Sequence, residues 1–415
     1  MKIYTPDQGV RASQRQYQRP VRGNVVLSDT VDIESLASQA RENPKHFAAK
    51  VRDLTDSGEL RMQNIASIKR LYDALKGVKV DCLDRERGVV SASAFPLLAG
   101  NLAVAGVNDA FEAVGSVRQF LVREEDNMKE VSQHALIVSH DAKKADPTRH
   151  DPDTDGDWPL IGAGEEKFEI RSRLNGRMLK IRRKMVEEND VAGIVGRINA
   201  LGEIMAELVE EITLKKVTDH DGSAAAGSEH VLRPNGTGTA LYTTSTTAHS
   251  RAPSGTRINN NALADLTDLQ NARAVLNAMT NTRGKRMNIG PRILFVPDTV
   301  LPTALKLLDS ELTPGTENEL NPFGPRGALR VAGVVSTPKL DDLSTSAWYM
   351  GNFRRQFVGK WRRRAMEMAL GEQAEAALQA DVVFQASMSW DYEVGAVDHA
   401  FVVQSLTATT APKDE

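Results

Sequence analysis

The chain has 415 residues, 41% hydrophobic and 26% charged, with 52 basic against 55 acidic side chains and a formal charge of -3. That length holds two or three compact units with a real core. The near balance of charge excludes a global field drawing the whole protein onto nucleic acid. The single cysteine, Cys82, rules out an internal disulfide and fits a reducing compartment. The start has no apolar signal core. The apolar stretch from Phe95 to Val107 is interrupted by Gly100, Asn101 and Gly106, and falls short of the roughly 20 residues a bilayer span takes. The expectation is a soluble protein made and used in the cytosol.

In chain order, residues 8–28 carry Arg11, Arg15, Arg19 and Arg22 with no acidic residue among them, an extended arm that is either solvated or laid on a polyanion. Val31 to Val78 reads as helical, with Ile65, Ile68, Leu71, Tyr72 and Leu75 at helical spacing and a break at Pro44. Asp81 to Gly88 reads as a charged linker, which puts a boundary near Val90. Phe95-Pro96-Leu97-Leu98 leads a mixed helix and strand region to Val122. Val131 to His140 and Lys167 to Lys184 read as the outgoing and returning strands of a long hairpin around a polar tip. Such an arm has too little apolar area to stand alone, and the expectation is that it lies on another copy.

Glu187 to Asp190 supplies caps for the clearest helix, whose stripe is Ile194, Ile198, Leu201, Met205, Leu208 and Ile212, with Lys215 and Lys216 at its end. A Gly/Ser/Thr-rich stretch to Arg257 precedes a second helix with Leu263, Leu266, Leu269, Leu276 and Met279 inward, closed by Gly284. Ile293 to Val296 reads as a strand stopped by Pro297, and Asp298 as the cap of a helix through Leu301, Leu305 and Leu308. A long loop with Asn321-Pro322, a β-branched run at Val331, Val334 and Val335, a turn at Pro338 and an aromatic strand at Trp348-Tyr349-Met350 follow. Phe384, Ala386, Met388, Trp390, Tyr392 and Val394 alternate with Gln385, Ser387, Ser389, Asp391 and Glu393, as in a strand with one wet face.

Motifs that carry chemistry are few. Asp151, Asp153 and Asp155 before Gly156 match the opening of a calcium loop, but Gly162 stands where a bidentate Glu is needed and Pro159 at the ninth position. It is a weak calcium candidate beside the plainer reading of an acidic hairpin tip. His134, His140 and His150 lack the i,i+4 pairing of a zinc site. Gly284-Lys285-Arg286 lacks the glycine-rich lead-in of a phosphate loop. Lys180 to Lys184 and Lys360-Trp361-Arg362-Arg363-Arg364 suit phosphate, or else pair with acidic runs such as Glu187-Glu188 and Glu210-Glu211. The residues assemble no active site, and neither an enzyme nor a cofactor is expected.

The order of these parts resembles the major capsid protein of tailed bacteriophages, with its Hong Kong 97-type α+β fold. Phe95 to Leu98 is similar to the family's N-terminal arm, and the Val131 to Lys184 hairpin to its extended loop. Lys180 through Asp190 with the stripe to Ile212 is similar to the peripheral domain's strand and spine helix. Leu294 to Pro297, the helix to Leu308, Asn321-Pro322, Val334 to Pro338 and Trp348-Tyr349 are similar to the axial domain. Trp390 to Gly395 and Asp398 to Val403 are similar to the closing strands. The resemblance implies an N-terminal extension over 1–90, an arm over 91–130, the extended loop over 131–180, a peripheral domain over 181–222 and 351–397, and an axial domain over 223–350 and 398–406.

It further implies a virion shell of homo-hexamers and homo-pentamers, assembled in the host cytoplasm around double-stranded DNA. Portal protein, and scaffold, maturation protease or decoration proteins, are its implied partners, with no membrane. Expected contacts between copies are Phe95, Trp158, Arg171, Arg173 and Arg177, and the expected DNA-facing residues are Arg11, Arg15, Arg19 and Arg22. A shell subunit of a cargo-filled, encapsulin-like compartment is the alternative. Lys143, Lys144 and Lys167 are available for a cross-link, but none is expected.

Overall fold

The computed structural model describes residues 33–58, 60–61, 65, 67–76, 78–84, 88–126, 131–135, 167–171, 173–219, 240–246, 249, 251–281, 284–290, 292–314, 319–370 and 382–407. Helices α1 (Ile33–Glu42), α2 (Pro44–Asp56) and α3 (Ile68–Leu75) open the described chain. Pro44 separates the first two as expected, since it sits in the first turn of α2, where its missing N–H costs nothing. The expected charged linker is instead a hairpin. Strands β1 (Lys79–Asp84) and β2 (Gly88–Ser93) pair antiparallel, and β2 runs directly into helix α4 (Ala94–Ala113).

The core crosses the boundary expected near Val90. Leu71, Tyr72 and Leu75 of α3 share one cluster with Phe95, Leu98 and Leu102 of α4. The Tyr72 and Phe95 rings meet edge to face at 5.1 Å, and Arg61 pairs with Asp109 at 2.8 Å.

The second sheet is built from distant pieces. A short helix α5 (Arg118–Leu121) leads to β3 (Arg123–Asp126), and β4 (Val131–Ala135) pairs with β5 (Lys167–Arg171). Strand β6 (Arg173–Arg182) is followed by α6 (Arg183–Glu187) and the spine helix α7 (Val191–Thr218). Strands β11 (Phe357–Leu370) and β12 (Val382–Ala396) complete a four-stranded sheet of order β3-β11-β12-β6. The returning strand of the expected hairpin thus has a partner inside the chain, because β6 runs antiparallel to β12 from Arg182↔Val382 to Arg173↔Tyr392. The base of the arm is covered too. Ile170 is buried, and a Cβ on Gly395 would meet its Cγ1 at 2.4 Å.

Helix α7 has 28 residues, about 42 Å at 1.5 Å per residue. Asp190 caps it by accepting from Gly193 N at 2.8 Å, and Lys215 and Lys216 occupy its last turns. Its buried face matches the expected stripe through Met205, then continues along Val209, Thr213 and Val217 while Leu208 and Ile212 are only half-buried. A 3.6-residue period drifts across a straight seven-residue reading.

The third layer is a five-stranded sheet of order β7-β13-β10-β8-β9. Its strands are β7 (Arg257–Ile258), β8 (Ile293–Pro297), β9 (Gly333–Thr337), β10 (Trp348–Gly351) and β13 (Val402–Ser405). Helices α8 (Leu266–Ala278), α9 (Leu301–Asp309) and α10 (Pro338–Leu343) intervene, and α11 (Phe353–Gln356) joins β10 to β11. Alternation along each strand divides the interior. Leu294, Val296, Trp348, Met350 and Val403 enter a cluster with α8 and α9, while Phe295, Val335, Tyr349 and Val402 enter the one shared with α7.

Three local expectations change. The turn at Pro338 is the start of α10. Asp298 makes no side-chain cap, and the carboxylate of Asp341 accepts from Asp298 N and Thr299 N instead. The second helix begins at Leu266 behind an Asp265/Asp268 capping box, with buried Leu263 and Met279 just beyond its ends.

Candidate assembly surface and the crossover between the sheets

Strand β6 is an edge strand, and it exposes apolar side chains. Leu174 is 63% and Met178 54% exposed, with Gly176 exposed between them. Lys180, Arg182, Arg183 and Lys184 follow as exposed cations, of which Lys184 pairs with Glu188 at 3.6 Å. An edge strand with bare apolar side chains is a template for association unless covered. Arg177 is exposed here and donates to Gly176 O at 3.0 Å.

Arg171 and Arg173 lie at the junction of β5 and β6, opposite Val131 and Tyr392 in register. Arg171 thus ends β5, and Arg173 and Arg177 stand four residues apart on β6. Phe95 does not join them. It is 2% exposed and already packed in the chain's own core, which corrects the expectation of a contact between copies. Trp158, Asp151, Asp153, Asp155, Arg11, Arg15, Arg19 and Arg22 lie outside the described residues. Among the described residues no acidic or histidine cluster could hold a metal, and no helix is long and apolar enough to cross a membrane.

The described side chains of the second basic run, Lys360 to Arg362, do not form a surface patch. Lys360 and Trp361 are fully buried, and Arg362 reaches Asp391 at 3.4 Å. At the end of the wet face expected of β12, Asp391 and Glu393 are instead buried, with Glu393 3.8 Å from Lys216 of α7. Burying charge is tolerated only with partners, and partners from distant segments carry no signature in local periodicity. Of the acidic runs, Glu210 pairs with Lys339 at 2.8 Å and Glu211 with Lys215 at 2.9 Å.

The two sheets are joined by paired crossings, 352–356 and 397–401. Gln356 is fully buried between them. Its Oε1 accepts from Phe401 N at 3.0 Å and Val402 N at 2.8 Å, and its carbonyl accepts from Val397 N at 2.8 Å. Beside it Arg251 and Asp398 form a buried ion pair at 2.7 Å. Asp398 Oδ1 also accepts from the amides of His399 and Ala400. The rings of His249 and His399, both buried, stack at 4.5 Å and 17°. Sequence reasoning missed this cluster, since its members stand 147 residues apart in the Arg251–Asp398 pair.

A family model described as phage capsid protein matches residues 172–405. Solved structures are similar to this chain over most of their own length. A capsid of a native GTA particle is 11% identical, covering 71% of this chain and 90% of that one, with a TM-score of 0.44. The capsid of Ralstonia phage GP4 is 12% identical over 72% and 90%, with a TM-score of 0.40. A virus-like particle from Pyrococcus furiosus is 10% identical over 74% and 98%, also at 0.40. No curated protein matches.

Proposed function

This chain belongs to the phage capsid protein family, and from that premise we propose that it is the major head protein of a tailed double-stranded DNA phage or prophage. It is a structural, non-enzymatic component of the virion capsid, and it works by associating with copies of itself. The observation that carries the reading is the extent of the match, which runs from the base of β6 to the end of β13 and so takes in the spine helix, the five-stranded sheet and all of the four-stranded sheet but β3.

In this reading the four-stranded sheet and α7 form the peripheral unit, and the five-stranded sheet the axial one. Copies close into hexamers and pentamers of an icosahedral head. The exposed edge at Leu174, Arg177 and Met178 is where one copy covers another, since an apolar edge strand loses free energy by leaving water. Portal protein, a scaffold or protease, and packaged DNA follow as partners.

The test is to express the full chain and examine it by sedimentation velocity and negative-stain electron microscopy. Closed shells or capsomers support the proposal. A species that stays at 45.4 kDa under all assembly conditions overturns it.

A further inference from the structure

We propose that Arg273 and Arg292 form a carboxylate-binding site, and that its occupant is Glu319 of a second copy, carried on a loop that also leaves Leu312 and Leu320 bare. The inference rests on the self-association proposed above and names one of its contacts.

Helix α8 buries Leu269, Ala272 and Leu276. It carries Arg273 and Asn277 half-buried, one turn apart and so on one face. Asn277 Oδ1 accepts from Arg292 Nη2 at 2.7 Å, which draws the Arg292 guanidinium onto that face. The Nε of each arginine is buried and meets no acceptor among the described residues, and neither arginine makes an ion pair there. Burial, and then the neighbouring Arg273 charge, push the Arg292 pKa below its ordinary value. No Asp or Glu occurs in 269–297 or in 320–340. Those stretches hold most of α8, Arg292 itself, and Ala332, whose N donates to Arg292 O at 2.7 Å. The carboxylates at the start of α8, Asp265 and Asp268, are committed to its capping box. Two guanidiniums close together without a counter-charge make a fork for carboxylate oxygens.

The complementary surface follows α9. Leu312 and Leu320 pair as an antiparallel bridge, flanked by Thr313 N donating to Glu319 O at 2.8 Å and Asn321 N to Glu311 O at 3.0 Å. Buried Asn321 anchors this ladder to the helix by donating to Leu307 O. Opposite residues of such a bridge share a side, and here Leu312 is 46% and Leu320 59% exposed. Glu319 is exposed beside them, and its side chain has no hydrogen-bond or ion-pair partner among the described residues. An apolar pair in water next to a bare carboxylate calls for a partner surface that is both apolar and positive. Ala278, next to Asn277, and Leu329, three residues before Ala332, are half-buried apolar side chains on the elements that hold the two arginines. Duplex DNA fits less well, because its phosphates stand on a wide cylinder and half-buried guanidiniums admit a slender side chain more readily. A contact between two different patches is head-to-tail, and it closes into a ring when the rotation between copies divides a full turn. Hexamers and pentamers require that closure.

The test is a charge exchange in the full chain, read by sedimentation velocity and negative-stain electron microscopy. Arg273→Glu and Glu319→Arg should each reduce the assembled fraction roughly tenfold or more. The chain carrying both should recover to within about threefold of wild type. Arg273 makes no hydrogen bond or ion pair in its own chain, so thermal unfolding should be unmoved by its replacement. If Arg273→Glu nonetheless fails to fold, Arg273→Gln and Glu319→Gln take over, and their losses should be non-additive when combined. Additive losses there overturn the contact. Assembly of either charge variant at wild-type yield, or no recovery in the paired variant, overturns the contact and leaves the proposed function standing. Loss of duplex DNA binding in Arg273→Glu with assembly intact also overturns it, and gives the site to phosphate. A wild type that never associates overturns both.

Discussion

Asn189 holds φ at 54°, in the left-handed region that asparagine tolerates better than most residues. There its Oδ1 accepts from Ile68 N at 2.9 Å and from Ser67 Oγ at 3.1 Å. A residue in the break before the spine helix thus caps α3, across a sequence separation of 121 residues. Asn189→Ala should lose the cap and strain the backbone, lowering stability by about 1 kcal/mol in urea unfolding and speeding exchange in α3. Asn189→Gly, which relieves the strain alone, should fall between the two.

Tyrosines bond the last turns of α7. Tyr242 Oη donates to Val217 O at 2.9 Å, Tyr349 Oη to Thr218 O at 3.4 Å, and Tyr392 Oη lies 3.2 Å from Thr213 Oγ1. Burial pushes each phenol well above its ordinary range. The folded chain then holds these protons more tightly than the unfolded chain does. Their contribution is whole below the unfolded phenol value of about 10 and is lost as pH rises above it. Phenolate absorbance of these residues should therefore appear together with loss of helical circular dichroism. Titration of all the tyrosines near pH 10 (about their ordinary value) with the fold intact would contradict this.

At the level of elements, α4 and α7 cross through glycines. A Cβ on Gly202 would meet Ala110 Cβ and Val107 O at 2.6 Å, and one on Gly106 would meet Ile198 Cγ2 at 2.7 Å. Gly202→Val should force the helices apart at a cost of about 1–3 kcal/mol or more. Gly196 lies in the same helix with nothing within 4 Å of an added Cβ, so Gly196→Ala should stabilise by roughly 0.5–1 kcal/mol. Thermal unfolding of the two variants should move in opposite directions.

For the whole molecule, the exposed pair on β6 separates folding from assembly. Leu174 and Met178 lie on the strand edge and are mostly in water in one chain, so Leu174→Asp with Met178→Asp should change unfolding by no more than about 0.5 kcal/mol. In an assembling preparation the same variant should shift sedimentation toward single subunits and remove closed shells from micrographs. Intact shells at wild-type yield would move the contact elsewhere.

Sequence alone determined what is local. The caps and stripe of α7, the break at Pro44, the strand stopped by Pro297, the aromatic strand at Trp348 to Met350 and the order of parts that marks the family all follow from residues a few positions apart. Helical and strand periods are set by short-range backbone geometry, and so they are written in the nearest neighbours. Only the tertiary structure decided which charged positions are buried and what the edges meet. Lys360 read as part of a phosphate-binding or ion-paired run and Asp391 and Glu393 as a wet face, because their covering partners come from distant segments, and β11 was hidden behind its run of basic residues. The partner of β6 comes more than two hundred positions later, at β12. Phe95 read as a contact for a neighbour, and an N-terminal helix of the same chain had already covered it. Desolvation depends on everything that surrounds a side chain in space, and no window along the chain contains that information.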